Sequence, residues 1–320
     1  MMSVYILVND ILVRTETLSA AAMWVDLLEP TAEEEEALET MLGIDVPTRE
    51  EMQEIEASSR MYREGDALFL TAPVLTASDT PRPHNTPVTF ILTRACTVTV
   101  RYATPQPFVT FVARATRTRG LCTTADSVLT GVVETVIDRL ADVLERIANE
   151  LDSVSHDIFG SPGINGHPGD QQPADFNATL RKIGRNGDLN SKARDSLLGI
   201  NRIVAFLSTE MTRKDSRGRI KVMTRDVRSL SEHAAFLSGK INFLLDATLG
   251  MINIEQNNTI KIFSIVAVMA LPPTLIASLY GMNFEFMPEL SWRYGYAFAW
   301  MLMILSALVP YLWIRRKGWL

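Results

Sequence analysis

Asn257, Ser264, Thr274 and Ser278 recur at three- and four-residue intervals with Ile260, Ala267, Leu271 and Gly281, and most of this series lies in a run, Ile262 to Met282, that has no charged side chain. On a helix that spacing puts all of them on one face. Side-chain oxygens presented inside an apolar segment suit water or a hydrated ion, and Ile260 and Leu271 would form apolar constrictions able to gate by dewetting. Ordinary packing of membrane helices through small residues gives the same spacing, but it does not call for the oxygens. Extended backward, the spacing reaches Asn253, Gly250, Asp246, Phe243 and Gly239, so the stripe leaves the apolar run and takes in an acidic residue. A repeat near 3.5 residues points to helices wrapped around a common axis.

Two elements must carry this face. The run from Ile262 to Met282 is close to the roughly 20 residues that a helix needs to cross a bilayer, and a second uncharged run, Tyr294 to Trp313, follows after a short loop at 283–293. A hairpin buried in a soluble core would have the same composition, but two such runs in tandem favour a pair of membrane spans. Arg315, Arg316 and Lys317 follow the second run and Lys261 precedes the first, whereas the loop holds Arg293 alone among basic residues. The positive flanks predict both termini in the cytoplasm and the loop outside. Trp292, Tyr294, Tyr296, Trp300, Trp313 and Trp319 cluster near the span ends, as aromatic rings do at headgroup level. A chain with two spans can line a central pore only as an oligomer. Pro272 and Pro273 predict a local kink beside it.

The first 250 residues contain no comparable run, and Met1 to Val13 lacks the basic flank of a signal peptide. Most of the chain is therefore expected to be water-soluble and cytoplasmic, with Cys96 and Cys122 reduced and structural. A net charge of −6 without a basic stripe argues against a nucleic-acid partner. Residues 1–124 read as an α/β domain. Val4 to Val8, Ala67 to Leu70, Val88 to Leu92 and Thr97 to Tyr102 have strand character, and Thr31 with Glu34 and Thr48 with Glu51 fit the capping box of a helix start. Glu33 to Glu36 read as an acidic, solvated first turn.

Residues 125–217 read as long antiparallel helices around a Gly/Pro turn at 159–173, with Leu129, Val132, Val136, Leu140, Val143, Ile147, Leu151 and Val154 on one apolar face. Breaks are expected at Gly184 to Gly187 and near Gly218. Residues 218–282 read as one stalk helix running into the first span, at 262–282, with a seam at Val227, Leu230, Ala234, Leu237, Ile241 and Leu244. The loop at 283–293, the second span at 294–313 and a basic tail at 314–320 complete the chain.

Tyr280-Gly281-Met282-Asn283-Phe284, then Met287-Pro288-Glu289-Leu290, between two C-terminal spans and ahead of Arg315-Arg316-Lys317-Gly318-Trp319-Leu320, resembles the CorA magnesium transporters. Gly43 to Met52 and Ile252 to Asn257 resemble its bacterial members. The resemblance covers essentially the whole chain. It implies a funnel-shaped homopentamer in the inner membrane, with an α/β cytoplasmic domain, a stalk helix that lines the pore and a peripheral second span. It also implies that Gly281, Met282 and Asn283 form the selectivity filter, that Asn257, Ile260, Leu271 and Thr274 line the pore and that Asp246 forms an acidic ring facing the funnel. A hydrated Mg²⁺ would sit at a ring of Asn283 side chains, held through its water shell, which this ion gives up reluctantly.

Glu285 and Glu289 would raise the cation concentration at the mouth, or are ordinary surface acids. The family implies closure by cytoplasmic Mg²⁺ bridging carboxylates of adjacent subunits. Asp226 and Glu232 are candidates for that role, although solvated helix charges are the commoner reading of such residues. Mg²⁺ is thus the substrate and a regulatory ligand, with Co²⁺ and Ni²⁺ as further substrates and no cofactor. Two other readings compete: a zinc transporter of the ZntB type, whose loop lacks the Met287 to Leu290 form, and a membrane-anchored ligand sensor, which needs no polar stripe. An enzyme is not expected, since there is no P-loop and His84, His156, His167 and His233 fall in no catalytic or ligand spacing.

Overall fold

The computed structural model describes residues 1–54, 56–159, 175–211, 214–282, 287–288 and 292–317. They divide into two compact units, Met1–Leu245 and Asp246–Leu320.

The first unit is built on a seven-stranded mixed sheet: β1 (Met2–Val8), β2 (Ile11–Thr15), β3 (Ala22–Leu28), β4 (Met61–Glu64), β5 (Ala67–Thr76), β6 (His84–Leu92) and β7 (Thr97–Arg101), in spatial order β2-β1-β3-β7-β6-β5-β4. Only β3 and β7 pair in parallel. The expected strands at Val4, Ala67, Val88 and Thr97 are present, and β2, β3 and β4 add to them. Asp10, which interrupts the apolar N-terminus, sits in the β1–β2 turn: Asn9 (φ 51°) and Asp10 (φ 63°) are both left-handed, as the tight hairpin turn that matches strand twist requires.

Helices cover both faces of the sheet. On one side Leu38 from α1 (Ala32–Leu42), Val46 and Met52 pack with Val25, Leu27, Phe69, Ile91, Val98 and Val100. The Thr31–Glu34 capping box forms at the start of α1, and burial alone would raise the Glu34 carboxyl. Bonds from the Met1 ammonium and the Thr31 and Met2 amides outweigh that and hold it below its ordinary range. The Thr48–Glu51 bonds form too, but they lead only into a single 3₁₀ turn, Glu51–Gln53, whose N-cap Glu50 makes no side-chain capping bond, and on through the short α2 (Ala57–Arg60) into β4.

On the other face Trp24 meets Phe111, and Phe90 stacks on Phe108, both partners from α3 (Gln106–Ala115). The same layer buries an ion pair. Arg101 donates from Nε to Asp26 Oδ1 at 3.0 Å and from Nη2 to Oδ2 at 2.7 Å. The Thr99 hydroxyl donates to Asp26 Oδ1, the Trp24 indole donates to Thr99, and a further Arg101 nitrogen donates to the Ala103 carbonyl. A buried pair is tolerable only when hydrogen-bonded in this way.

Three long helices complete the unit. α4 (Ala125–Phe159) and α5 (Phe176–Glu210) lie antiparallel, joined by Asn186 to Glu150 and Lys182 to Asp157. The expected break at Gly184 to Gly187 does not occur, because tertiary packing of α5 against its neighbours outweighs the weak helix propensity of glycine. Gly199 is needed for a different reason: a Cβ there would come within 2.6 Å of Pro73 on β5, so only glycine lets α5 approach the sheet this closely. The α5 boundary falls at Met211, and α6 (Lys214–Tyr280) runs straight through Gly218. Residues 160–174, which hold most of the expected Gly/Pro turn, lie outside the described residues.

Cys96 and Cys122 are free and buried, and burial raises both thiols, Cys122 to about 11, so both stay protonated at neutral pH. Asp26→Ala should lower the unfolding temperature of the purified full-length chain sharply, because it strands a buried guanidinium at a cost of about 3–5 kcal/mol. Asp66→Ala, which breaks the exposed pair with Arg94, should barely move it. Thermal unfolding monitored by intrinsic fluorescence compares the two.

Candidate ion-conducting site

α6 carries the candidate pore face, and the first unit fixes its first half. Val227, Ala234, Leu237, Ile241 and Leu244 form the buried seam, with Leu230 partly exposed beside them. Each fully buried valine, leucine or isoleucine side chain contributes about 1.5–3 kcal/mol, and alanine less. Polar ties add direction: Arg219 reaches Glu134 through two bonds (2.8 and 2.6 Å), and Lys240 reaches Asp152 at 2.6 Å. Asn190, only 2% exposed, donates to the Ala234 carbonyl at 3.0 Å and to the Ser238 hydroxyl at 2.9 Å. None of these ties was read from the sequence. Their one visible signal was Asn186 and Asn190, four residues apart within an apolar periodicity.

The face of α6 opposite the seam carries Gly239, Phe243 and Asp246, all exposed. Phe243 stacks on Phe159 from the end of α4, with ring centroids 5.8 Å apart.

The second unit holds the rest of α6 and α7 (Gly295–Arg316). Both helices are long and apolar enough to cross a membrane, with mean hydropathies of 2.1 and 1.9 over their most apolar windows, and only 6% and 11% of those windows are buried. That exposure is the reverse of a soluble core hairpin. Within this unit the less exposed face of α6 is Ile265, Met269, Pro272, Pro273, Ile276 and Tyr280. At 100° per residue it lies roughly opposite Ser264, Ala267, Leu271, Thr274, Ser278 and Gly281, all of which are exposed, Leu271 at 67%. Asn257 and Ile260 are exposed on the same face. α6 thus brings the whole stripe onto one helix, unbroken at the two prolines.

At its loop end the Gly281 amide donates to the Ala277 and Ser278 carbonyls (3.0 and 3.2 Å), closing the last turn. A Cβ at Gly281 would lie 3.2 Å from the Ala277 oxygen, so glycine suits the exit from the helix. Met282 is half exposed. Asn283, Glu285 and Glu289 lie outside the described residues.

Of the two candidate regulatory carboxylates, Glu232 accepts from Arg228 at 3.1 Å and Asp226 lies 3.9 Å from Arg225, both pairs within α6. Burial raises the carboxyl of nearby Asp138; Arg114 opposes the shift, while Glu134, Asp142 and Asp226 add to it. Among the described residues no group of three or more histidine, cysteine or acidic side chains is placed to hold a metal ion.

A family model described as "CorA-like Mg2+ transporter protein" matches residues 19–316. The chain belongs to the CorA family. The chain is similar to proteins named "Magnesium transport protein CorA": it is 38% identical to that of Yersinia pestis over 302 residues, 94% of this chain and 93% of the relative. It is 36% identical to that of Escherichia coli strain K12 over 325 residues, 100% of both chains. Among solved structures it is similar to "The complete structure of CorA magnesium transporter from Methanocaldococcus jannaschii", with a TM-score of 0.76 at 17% identity over 100% of this chain and 99% of the other. The CorA match takes in both apolar helices, so the α/β region, the stalk and the hairpin belong to one family architecture.

If the exposed stripe lines a conduction path, Ser264→Phe should reduce metal flux into proteoliposomes at least severalfold more than Val266→Phe, which lies off the stripe. Equal effects would remove the argument from spacing.

Proposed function

We propose that this chain imports Mg²⁺ through a central pore formed by five copies, each contributing α6 to the lining and α7 to the periphery. The observation that carries this reading is the polar stripe, which stays on one face of one uninterrupted helix from Asp246 to Gly281 and lies away from the face that is covered in the single chain. The names of the relatives supply the metal. In this reading 1–124 and 125–217 form the cytoplasmic region, 218–282 is the stalk and first span, 283–293 is the outer loop, 294–313 is the second span and 314–320 is a cytoplasmic tail. The membrane is the cell's inner membrane, and both termini face the cytoplasm.

The filter is Gly281, Met282 and Asn283. A ring of amides holds a hydrated divalent ion without the deep trap that a ring of carboxylates would make, and conduction needs binding weak enough for exit. Asn257, Ser264, Thr274 and Ser278 give the hydrated ion polar contacts along the path. Ile260, Ala267 and Leu271 alternate with them as apolar rings, and Asp246 forms an acidic ring in the funnel. Glu285 and Glu289 draw cations to the mouth. Co²⁺ and Ni²⁺, similar in charge and hydration, pass as well.

No nucleotide is required, because a divalent ion gains roughly 4.6 kcal/mol per 100 mV of inside-negative potential. Cytoplasmic Mg²⁺ closes the pore by bridging carboxylates of adjacent copies, with Asp226 and Glu232 as the candidate ligands. Product feedback of this kind needs only that the ion bind the closed state more tightly than the open one. Asn283→Ala should abolish Mg²⁺ uptake into proteoliposomes while leaving the oligomer intact by size-exclusion chromatography. Normal flux in that variant would reject the filter assignment.

A further inference from the structure

α6 carries Pro272 and Pro273 in its interior, and α7 carries Pro310. Proline has no amide N–H, so the carbonyls four residues earlier, Val268, Met269 and Ser306, lose the donors that the helix ladder would supply. Met269 lies eleven residues before the loop-side end of α6 at Tyr280, and Ser306 eleven residues after the loop-side start of α7 at Gly295, about 16 Å along the helix in each case.

Of the three, the Met269 and Ser306 carbonyls belong to residues on the less exposed face of their helix, Met269 with Ile265 and Ile276 on α6 and Ser306 with Met303, Pro310 and the buried Ile314 on α7, while Val268, one residue further from the loop, is exposed. Beside each gap a hydroxyl turns onto the backbone. Thr274 Oγ1 donates to the Ala270 carbonyl at 2.7 Å, and Ser306 Oγ donates to the Met303 carbonyl at 2.8 Å. Back-bonding of this kind, next to a proline, eases helix bending. The two helices of one hairpin therefore lose ladder bonds at the same distance from their connecting loop.

We propose that these matched gaps form one hinge shared by both spans. About this layer the loop-side parts, α6 from Thr274 to Tyr280 and α7 from Gly295 to Leu305, tilt together as one piece. A gap in a single helix would make its neighbour bend against an intact ladder, whereas gaps at one level let the pair bend at little cost. The hinge lies at the level of Leu271, the apolar member of the stripe next to Pro272, so a tilt there widens or narrows that constriction. The inference rests on the ion-conducting reading and adds to it the place where the conducting path moves.

Two readouts test it on the full-length protein in lipid nanodiscs and proteoliposomes. Pro310→Ala restores a donor to the Ser306 carbonyl, and hydrogen exchange followed by mass spectrometry should then slow about tenfold around residue 310 and also in the unaltered Thr274–Tyr280 segment of α6. Slowing confined to α7 overturns the shared hinge. The reciprocal variant, Pro272→Ala with Pro273→Ala, should slow exchange in Gly295–Leu305, and it decides the matter if Pro310→Ala does not assemble.

Mg²⁺ flux should fall about tenfold in either variant and no further when they are combined. Multiplying effects overturn the proposal. Wild-type vesicles that take up no Mg²⁺ would count against the conducting reading itself, and exchange would then decide the hinge alone.

Discussion

α6 is helical from Lys214 to Tyr280, with its first part in the first unit and the rest in the second. The face that its first part buries against α4 and α5 determines which residues of that part remain exposed. The buried seam at Val227, Ala234, Leu237, Ile241 and Leu244 therefore does more than stabilise the first unit. It leaves Gly239 and Phe243 exposed on the far side, and within the second unit the three- and four-residue alternation runs from Asp246 through Asn257 and Ser264 to Gly281. The helix runs through Gly218 and through both prolines, although each proline removes one ladder bond.

Apolar contact alone is non-directional and tolerates rotation of one helix against another. The polar ties supply the missing direction. Asn190 on the Ala234 carbonyl and Ser238, Arg219 on Glu134 and Lys240 on Asp152 each require one rotation and one height of α6. A buried amide in an apolar seam costs desolvation and gives specificity in return. Here that specificity is the seating of the first part of α6 on its neighbours.

How much of this was legible in the sequence follows from the range of each interaction. The stripe, the two apolar runs and the Thr31–Glu34 cap are local patterns and were read directly. β3 was missed because Asp26 interrupts an apolar stretch, and the residue that makes Asp26 tolerable there, Arg101, lies far away in sequence. β2 and β4 are short edge strands with little burial pattern of their own. The expected break at Gly184 to Gly187 failed because α5 packs against neighbours that local propensity does not register. The ties to α6 were invisible for the same reason, since a lone asparagine or lysine gives no hint of which helix it will meet. The residues that seat α6 on its neighbours were thus the hardest to find, and the stripe itself the easiest.

In the proposed function a membrane potential alone drives a divalent cation along this stripe. This is tested most directly by initial rates of Mg²⁺ uptake into vesicles containing only the purified full-length chain, with potassium diffusion potentials set across the membrane and no nucleotide present. Uptake should rise steadily as the vesicle interior is made more negative and stop when the potential and the Mg²⁺ gradient are both removed. Uptake indifferent to potential, or absent until a nucleotide is added, would contradict it.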